Sequence, residues 1–141
     1  MQTIEVERPG DRPGLVIVRL NRPEKLNAIN NEMHQELQDL CHELSTDGEA
    51  RVVILTGNGR AFSAGADLGS APNIGEARRA VGARTAASDA AAARIASGMG
   101  NRTSSALEGL PQVTIGAFNG LTIGGAVVFA ACLDIRIAAR S

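Results

Sequence analysis

The stretch GRAFSAGADLGS, residues 59–70, follows the apolar run RVVILT and consists mostly of small residues. Its bulky apolar side chains are Phe62 and Leu68. Small residues let a backbone approach a ligand closely, and the first N–H groups of a helix have no partner within that helix. The pattern predicts a strand that ends in a loop of small residues and leads into a helix.

A second segment repeats this design. VTIGAFNGLTIGGAVVFAACL, residues 113–133, predicts a strand from about Val113 to Phe118, a glycine-rich turn and an apolar helix near 125–133. If the turns near Ala66 and Gly125 face each other across parallel strands, their two amides form an oxyanion hole for a carbonyl that becomes an enolate. The alternative is that the small residues only allow a helix to pack closely on a sheet.

Further strands are predicted elsewhere in the sequence. TIEVER and GLVIVRL, near the N-terminus, are β-branched runs joined by PGDRP, which favours a hairpin-like connection. The second run is continuously apolar from Leu15 to Val18, as expected of a strand covered on both faces. RVVILTG and the final DIRIAAR predict further strands. Alternation of strands and helices predicts an α/β layer architecture.

An amphipathic helix is predicted between the second and third strands. Asn30 or Asn31 serves as its N-cap, Glu32 suits its first turn, and STDGEA ends it. Its apolar residues follow at helical spacing: Met33, Leu37, Leu40, Cys41 and Leu44.

Length and composition predict one soluble domain. The chain has 141 residues, of which 44% are hydrophobic and 21% charged, and its formal net charge is -1. This balance gives no basic surface for nucleic acid, so we expect no nucleic-acid partner. The N-terminus lacks the apolar region of a signal peptide, and the apolar stretch 120–133 is too short to span a bilayer. We therefore expect a cytoplasmic protein with no membrane contact.

Residues 70–106 differ from the rest of the chain. They are rich in Ala, Arg and Ser, and their large apolar residues are widely scattered. Helix is expected there, but its packing is not specified. The last strand ends within two residues of Ser141, and a buried strand normally needs a cover. The chain therefore resembles the front part of a longer protein.

Other chemistries fit the residues less well. GNGRAF has Phe62 where a dinucleotide fingerprint needs its third glycine. Ser63 lies in an approximate nucleophile elbow, but both histidines precede it, whereas a hydrolase of that type needs an acid and then a His after the Ser.

His34 and His42 lie outside the apolar stripe of the helix, so we expect solvated surface groups. Cys41 and Cys132 are far apart, so we expect reduced core residues and no metal site.

Three stretches together resemble the crotonase, or enoyl-CoA hydratase/isomerase, superfamily. They are LNRPEKLNAIN at 20–30, GRAFSAGADL at 59–68 and NGLTIGGAVVFAACLDIRIAA at 119–139. The resemblance covers the chain except 70–106 and corresponds to roughly the first half of a family member. It implies a crotonase-like spiral of β-β-α units, with residues 1–141 as the N-terminal part of one domain. The resemblance stops before the later helices that build the family's trimers.

The resemblance also implies roles for individual residues. The amides of Ala66 and Gly125 would hold the acyl-thioester oxygen, and Asp67, Leu68 and Gly69 would line the acyl-CoA site. The backbone of Lys25, Leu26 and Ala28 would approach the adenine end of coenzyme A. Arg22 or Lys25 would lie near phosphate, unless both charges are simply solvated. Coenzyme A would be part of the substrate, so no separate cofactor and no metal are expected.

Two positions depart from the family pattern. The helix after the second loop carries a glutamate in hydratases, and counting from Gly125 that position is Val128, which cannot transfer a proton. Ala126 also replaces a common glycine.

We therefore expect an acyl-CoA-binding, enolate-stabilising family member. The alternatives are an isomerase, or another crotonase reaction, that uses an acid beyond residue 141, and a silent acyl-CoA-binding or assembly protein. A homo-oligomer, trimer or hexamer, is expected if the full-length family fold is present.

Overall fold

The computed structural model describes residues 1–67, 69 and 98–140. Leu68 and residues 70–97 lie outside this part of the chain, and so does the helix predicted after the first small-residue loop. Residues 98–106, which belong to the Ala/Arg-rich segment of the sequence, are described and form part of a helix.

Five strands form the main sheet. In sheet order they are β1 (Ile4–Glu7), β2 (Leu15–Leu20), β3 (Val52–Gly57), β5 (Val113–Phe118) and β7 (Ile135–Ala138). The β1–β2 pair is antiparallel, as the hairpin prediction required, and the other neighbours are parallel. The short strands β4 (Ala61–Ser63) and β6 (Leu121–Thr122) make a separate parallel pair. The α/β prediction is confirmed, but β4 and β6 were predicted as loop.

Helix α1 (Asn31–Ser45) packs its apolar stripe against the sheet. Its N-cap is Asn30, whose side chain accepts a hydrogen bond from the Met33 amide and so occupies one of the helix's unpaired donors. The predicted stripe is buried along its whole length. It joins β2, β3 and Leu107 in one core cluster. The helix therefore forms where its spacing and cap predict it.

The prediction that β2 is covered on both faces is confirmed for one face only. Val16, Val18 and Leu20 are buried, whereas the residues between them are only half-buried. Strand β3 has the same alternation. One face of these strands meets α1, and the described residues close the other face only in part.

A 3-10 helix (Pro23–Lys25) and two further α-helices complete the described chain. The described part of helix α2 covers residues 98–108, and α3 (Gly125–Ala131) follows β6. Ala126 and Phe129 of α3 are buried, while Val127 and Val128 are exposed, as are the isoleucines of β7. Among the described residues no helix has both the length and the apolar character needed to cross a membrane.

Candidate functional site

Two loop segments run side by side at the carboxyl ends of β2 and β3. The Ala64 amide donates to the Leu26 carbonyl, and the Ile29 amide donates to the Gly65 carbonyl at 2.8 Å. The Asp67 amide in turn donates to the Ile29 carbonyl at 2.9 Å. These bonds make Ile29 and Ala66 an isolated parallel bridge. The segment 63–67 is therefore held along one side by residues 26–29.

Asn27 builds the first of these loops. It is fully buried and adopts a left-handed backbone conformation with φ of 54°, which asparagine tolerates better than most residues. Its side chain accepts a hydrogen bond from the Arg22 amide and donates to the carbonyls of Asn58 and Ala61, each at 2.9 Å. Sequence reasoning named its neighbours but not Asn27 itself, although an Asn in a short break between elements is a turn signal.

The Ala66 amide faces the side of its segment opposite to Ile29. In a parallel bridge the neighbours of the bridging residue supply the hydrogen bonds, so the N–H of Ala66 points the other way. On that side lies the turn before α3. A Cβ atom added at Gly65 would be 2.7 Å from the Ile123 carbonyl oxygen and 3.2 Å from the Gly125 nitrogen. A Cβ added at Gly125 would be 3.9 Å from the Ala66 nitrogen.

The two turns named from the sequence are thus neighbours in space. Glycine makes this contact possible, because Gly65 has φ of 82° and no room for a side chain. Within the described part of the chain, the amides of Ala66 and Gly125 donate no hydrogen bond. Two main-chain donors close to each other are therefore left available for a ligand.

Both turns border one cavity of about 220 Å³. Ile29, Phe129 and Val128 supply apolar walls, and helix α2 contributes Gly100, Asn101 and Ser104 to the lining. Apolar walls with a few polar groups are typical of small-molecule sites. A larger depression of about 520 Å³ along Leu121, Val127 and Arg140 includes neither turn.

The residues after Ala66 are only partly described. Asp67 is half-buried, and its carboxylate accepts hydrogen bonds from the Gly69 amide at 3.0 Å and from Arg22 at 2.8 Å. Gly69 is exposed, and Leu68 lies outside the described residues. Asp67 and Gly69 are thus next to the candidate donors, with the Asp67 charge turned to Arg22.

The loop predicted to approach coenzyme A divides into two kinds of residue. Lys25 is exposed, whereas Leu26 and Ala28 are half-buried and use backbone groups to hold the site. Arg22 is not a solvated charge, since its side chain is 17% exposed and bonds to Asp67 and to the Ala28 carbonyl. Of the two cations, Lys25 is the one whose side chain extends into solvent.

Val128 occupies the cavity wall one turn into α3. Its side chain is 53% exposed, and it lies on the same cavity as Ala66 and Gly125. Ala126, in contrast, is fully buried behind the turn. The side chain at 128 therefore faces the space in which a ligand would sit, and it carries no acid or base.

The prediction that His34 is a solvated surface group is wrong. The ring is half-buried, lines the cavity, and packs edge to face on Phe129 with centroids 5.8 Å apart. Its Nδ1 lies 2.9 Å from the Thr103 hydroxyl of α2. Burial, and secondarily the charge of Arg102, lowers the pKa of His34 below its usual value. His42 is exposed, as predicted.

Ser63 has a structural role in this arrangement. It is fully buried, and its hydroxyl donates to the Asn27 carbonyl at 2.7 Å and accepts from the Gly65 amide at 3.1 Å. A nucleophilic serine must reach its substrate, so this placement argues against the hydrolase alternative. Among the described residues, His, Cys, Asp and Glu form no group of three that could hold a metal ion.

Comparison with known proteins matches this fold and loop arrangement to one family. Residues 11–141 match the family model described as enoyl-CoA hydratase/isomerase. The 1,2-epoxyphenylacetyl-CoA isomerase of Escherichia coli (strain K12) is 35% identical over 136 residues, which cover 91% of this chain and 45% of that protein. The Bacillus subtilis (strain 168) protein YngF is 34% identical over 128 residues, covering 90% and 44%.

A solved structure supports the same assignment. The enoyl-CoA hydratase from Bacillus anthracis has a TM-score of 0.81 with this chain at 33% identity, covering 97% of this chain and 47% of that one. The chain therefore belongs to the enoyl-CoA hydratase/isomerase family and has the crotonase fold, which confirms the resemblance found in the sequence. It spans less than half the length of these relatives.

Proposed function

We propose that this chain binds an acyl-CoA thioester and stabilises its enolate with the main-chain N–H groups of Ala66 and Gly125. The observation that carries the proposal is the meeting of these two unoccupied donors at one cavity. Fixed amides aimed at an oxygen that gains charge stabilise it strongly, because they need not reorganise as the charge forms. The family supports an acyl-CoA ligand, since the E. coli relative is an isomerase of an acyl-CoA.

Asp67 and Gly69 would lie beside the bound acyl group, as would Leu68 from its place in the sequence. Leu26 and Ala28 would shape the approach of coenzyme A, with Lys25 extending its charge into solvent near the phosphates. Coenzyme A would arrive as part of the substrate, and we propose no separate cofactor.

The reaction performed on the enolate is a separate question. Val128 leaves the first hydratase acid position without a proton donor, so addition of water by two carboxylates is not proposed for these residues. Double-bond isomerisation is the alternative that the site favours, because it needs proton transfer but no activated water. A silent acyl-CoA-binding protein is the second alternative, and it would keep the amides without turnover.

The test uses a ligand that reports enolate formation directly. Acetoacetyl-CoA changes its ultraviolet absorption when it converts to its enolate, and binding to two amide donors favours that form. Gly125→Pro removes one donor, and proline is tolerated at the first residue of a helix. We expect bound enolate to fall about 100-fold or more, since one such donor is worth about 3 kcal/mol.

The matched control is Asn31→Pro. Asn31 is also the first residue of a helix, is exposed, and lies outside the cavity lining. This variant should keep the enolate signal of the unmodified protein. If Gly125→Pro keeps it too, the amide of Gly125 does not hold the oxygen and the proposal fails. A parallel assay of crotonyl-CoA hydration distinguishes turnover from binding alone.

Oligomer formation is a further proposal. Exposed apolar side chains on α3 and β7 support it, namely Val127, Ile135 and Ile137. Contiguous exposed apolar surface often marks a protein–protein contact. Light scattering on the purified chain would give its mass, and a monomer at micromolar concentration would contradict the proposal.

A further inference from the structure

His34 lies where a proton-transfer group is needed and where the described part of α3 offers none. Among the described residues that line the cavity with Ala66 and Gly125, His34 is the one ionisable side chain. Val128 holds the opposing position on α3 and is apolar. A base close to an oxyanion site is the second half of enolate chemistry.

The hydrogen bonds around His34 define its tautomer. The Thr103 hydroxyl lies 3.1 Å from the Met99 carbonyl oxygen, 2.9 Å from Gln38 Nε2 and 2.9 Å from His34 Nδ1. A hydroxyl has one hydrogen to donate and two lone pairs. All three contacts are satisfied when Thr103 donates to Met99 and accepts from both Gln38 and Nδ1. This network therefore assigns the proton of the neutral ring to Nδ1.

The other ring nitrogen then carries the lone pair. Nε2 of His34 makes no hydrogen bond to the described part of the chain. It is also not sealed in the interior, because the buried side-chain atoms without a partner are Ser104 Oγ and Gln112 Oε1. Ser104 is another residue of the same cavity wall. The wall thus offers an acceptor nitrogen and a buried hydroxyl that has no hydrogen-bond partner among the described residues.

We infer that Nε2 of His34 accepts the proton that the bound acyl thioester loses from the carbon next to its carbonyl. This inference rests on the proposed function of the two amides. The C–H bond breaks, an N–H bond forms on Nε2, and the electron pair moves through the new C=C bond onto the thioester oxygen. That oxygen is held by Ala66 and Gly125. The imidazolium can return its proton to the same carbon or, when the substrate is a 3-enoyl thioester, to the γ-carbon of the dienolate.

Return of a proton to the same carbon exchanges the α-hydrogen with solvent. Return to the γ-carbon gives a shifted double bond. Both outcomes regenerate neutral His34 and consume no co-reactant. The low pKa of His34 keeps the ring neutral near pH 7, so the base is present in its active form. Thr103 is a positioning residue, because its hydroxyl fixes the ring through Nδ1, and Gln38 in turn donates to that hydroxyl.

The experiment measures deuterium uptake at the α-carbon of butyryl-CoA in D2O, by mass spectrometry, with the full chain. A saturated thioester can lose and regain this proton but cannot be hydrated. We expect His34→Gln to lower the exchange rate about 100-fold or more, in the range typical of a removed general base. Butyryl-CoA binding, measured by calorimetry, should remain. His42→Gln, on the exposed side of the same helix, is the control and should exchange at the original rate.

Added imidazole tests whether a lost base, rather than a disturbed fold, causes the effect. His34→Ala leaves space at the cavity wall, and free imidazole should restore exchange there but not in the Gly125→Pro variant. The inference about His34 would be overturned if His34→Gln exchanged the α-hydrogen of butyryl-CoA at the original rate. It would also be overturned if the unmodified chain bound butyryl-CoA without any exchange. Neither result would contradict the two-amide proposal. Absence of butyryl-CoA binding to the unmodified chain would overturn both.

Discussion

The guanidinium of Arg22 and the carboxylate of Asp67 form an ion pair that joins the two loops of the candidate site. Nη1 of Arg22 lies 2.8 Å from Oδ2 of Asp67, and the side chains are 17% and 14% exposed. The same Nη1 donates to the Ala28 carbonyl oxygen. Because Asp67 directly follows Ala66, the pair fixes the direction in which the Ala66 amide points. Arg22 therefore holds the segment that contains Ala66 against the loop that contains Ala28.

Arg22→Ala should weaken both stability and ligand binding. The pair is neither fully buried nor fully exposed, so we expect a loss of about 1–3 kcal/mol in the free energy of unfolding. Urea unfolding measures this loss, and calorimetry with acetoacetyl-CoA measures the effect on binding. Lys25→Ala is the control for stability alone, since its side chain is exposed. Equal stability losses in the two variants would contradict a structural role for the Arg22 pair.

Asn27→Ala should be among the most damaging single substitutions in the described chain. It removes a buried side chain that makes three hydrogen bonds to backbone groups, and it leaves alanine in a left-handed conformation. We expect a loss of about 3 kcal/mol or more in the free energy of unfolding. Asn27→Gly separates the two causes, because glycine adopts this conformation without strain but lacks the hydrogen bonds.

The Gly variant should therefore recover only the part of the loss that comes from backbone strain. Thermal unfolding of the two variants side by side gives the difference. A Gly variant as stable as the original protein would mean that the hydrogen bonds of Asn27 contribute nothing.

Gly65→Ala should separate the two turns of the site. The added Cβ would meet the Ile123 carbonyl oxygen at 2.7 Å, a backbone atom that cannot move aside alone, and φ is 82°. We expect a loss of about 2 kcal/mol or more in stability, together with loss of the enolate signal from acetoacetyl-CoA. Gly48→Ala is the matched control, because a Cβ there meets nothing within 4 Å. A Gly65→Ala protein that still forms the enolate normally would show that close approach of the turns is not required.

Glu36 should make the N-terminal strand sensitive to acid. Burial alone would raise the pKa of this carboxyl. Hydrogen bonds from the Thr3 side chain and from the amides of Gln2, Thr3 and Ile4 outweigh burial, so the net pKa is lowered from 4.5. The carboxylate therefore contributes stability above about pH 4.5, and this contribution is lost as pH falls through the lower pKa of the folded state.

Denaturant unfolding between pH 3 and pH 7 would measure that loss. Glu36→Gln should be less stable than the original chain at pH 7, and the gap should narrow as the pH falls below about 4.5. A gap of constant size across this range would show that the charge of Glu36 is not what holds strand β1. Glu32→Gln, on the exposed first turn of the same helix, serves as the control.

The sequence predicted those elements whose signals lie within a few neighbouring residues. Helix α1 has a cap, an apolar stripe and a stop, and each signal lies within a few residues of the feature that it specifies. Strand β5 was likewise predicted with the bounds that it has. The short strands β4 and β6 were not, since three and two residues carry no periodicity and their pairing joins residues 60 positions apart.

The candidate site also contains residues that the sequence predicted and one that it did not. Small residues after two strands indicated the turns at Ala66 and Gly125, because close approach of backbone demands such residues. His34 was misjudged because its environment comes from Thr103, which is 69 positions away and follows a segment whose packing the sequence did not specify. Position on an amphipathic helix predicts which side faces the sheet, but it cannot predict whether a second helix covers the other side.

The two cysteines should differ sharply in reactivity. Both are thiols, but Cys41 lies on the buried face of α1, and burial raises its pKa to about 11. The thiolate is the form that attacks an alkylating reagent, so at pH 8 only about one Cys41 in a thousand would be in the reactive form, even where reagent could reach it. Cys132 is half-buried at the end of α3 and is within easier reach.

Native protein treated with iodoacetamide at pH 8 should therefore be modified at Cys132 first and at Cys41 only on unfolding, as peptide mass spectrometry would show. Cys132→Ser supplies the control, because iodoacetamide can then react only with Cys41, at the rate at which the chain opens around α1.

The labelling rate of Cys41 should rise in Asn27→Ala if the loop and the helix unfold together. Asn30 caps α1 directly after the loop that Asn27 holds. Rapid labelling of Cys41 in the native chain would contradict a closed core between α1 and the sheet.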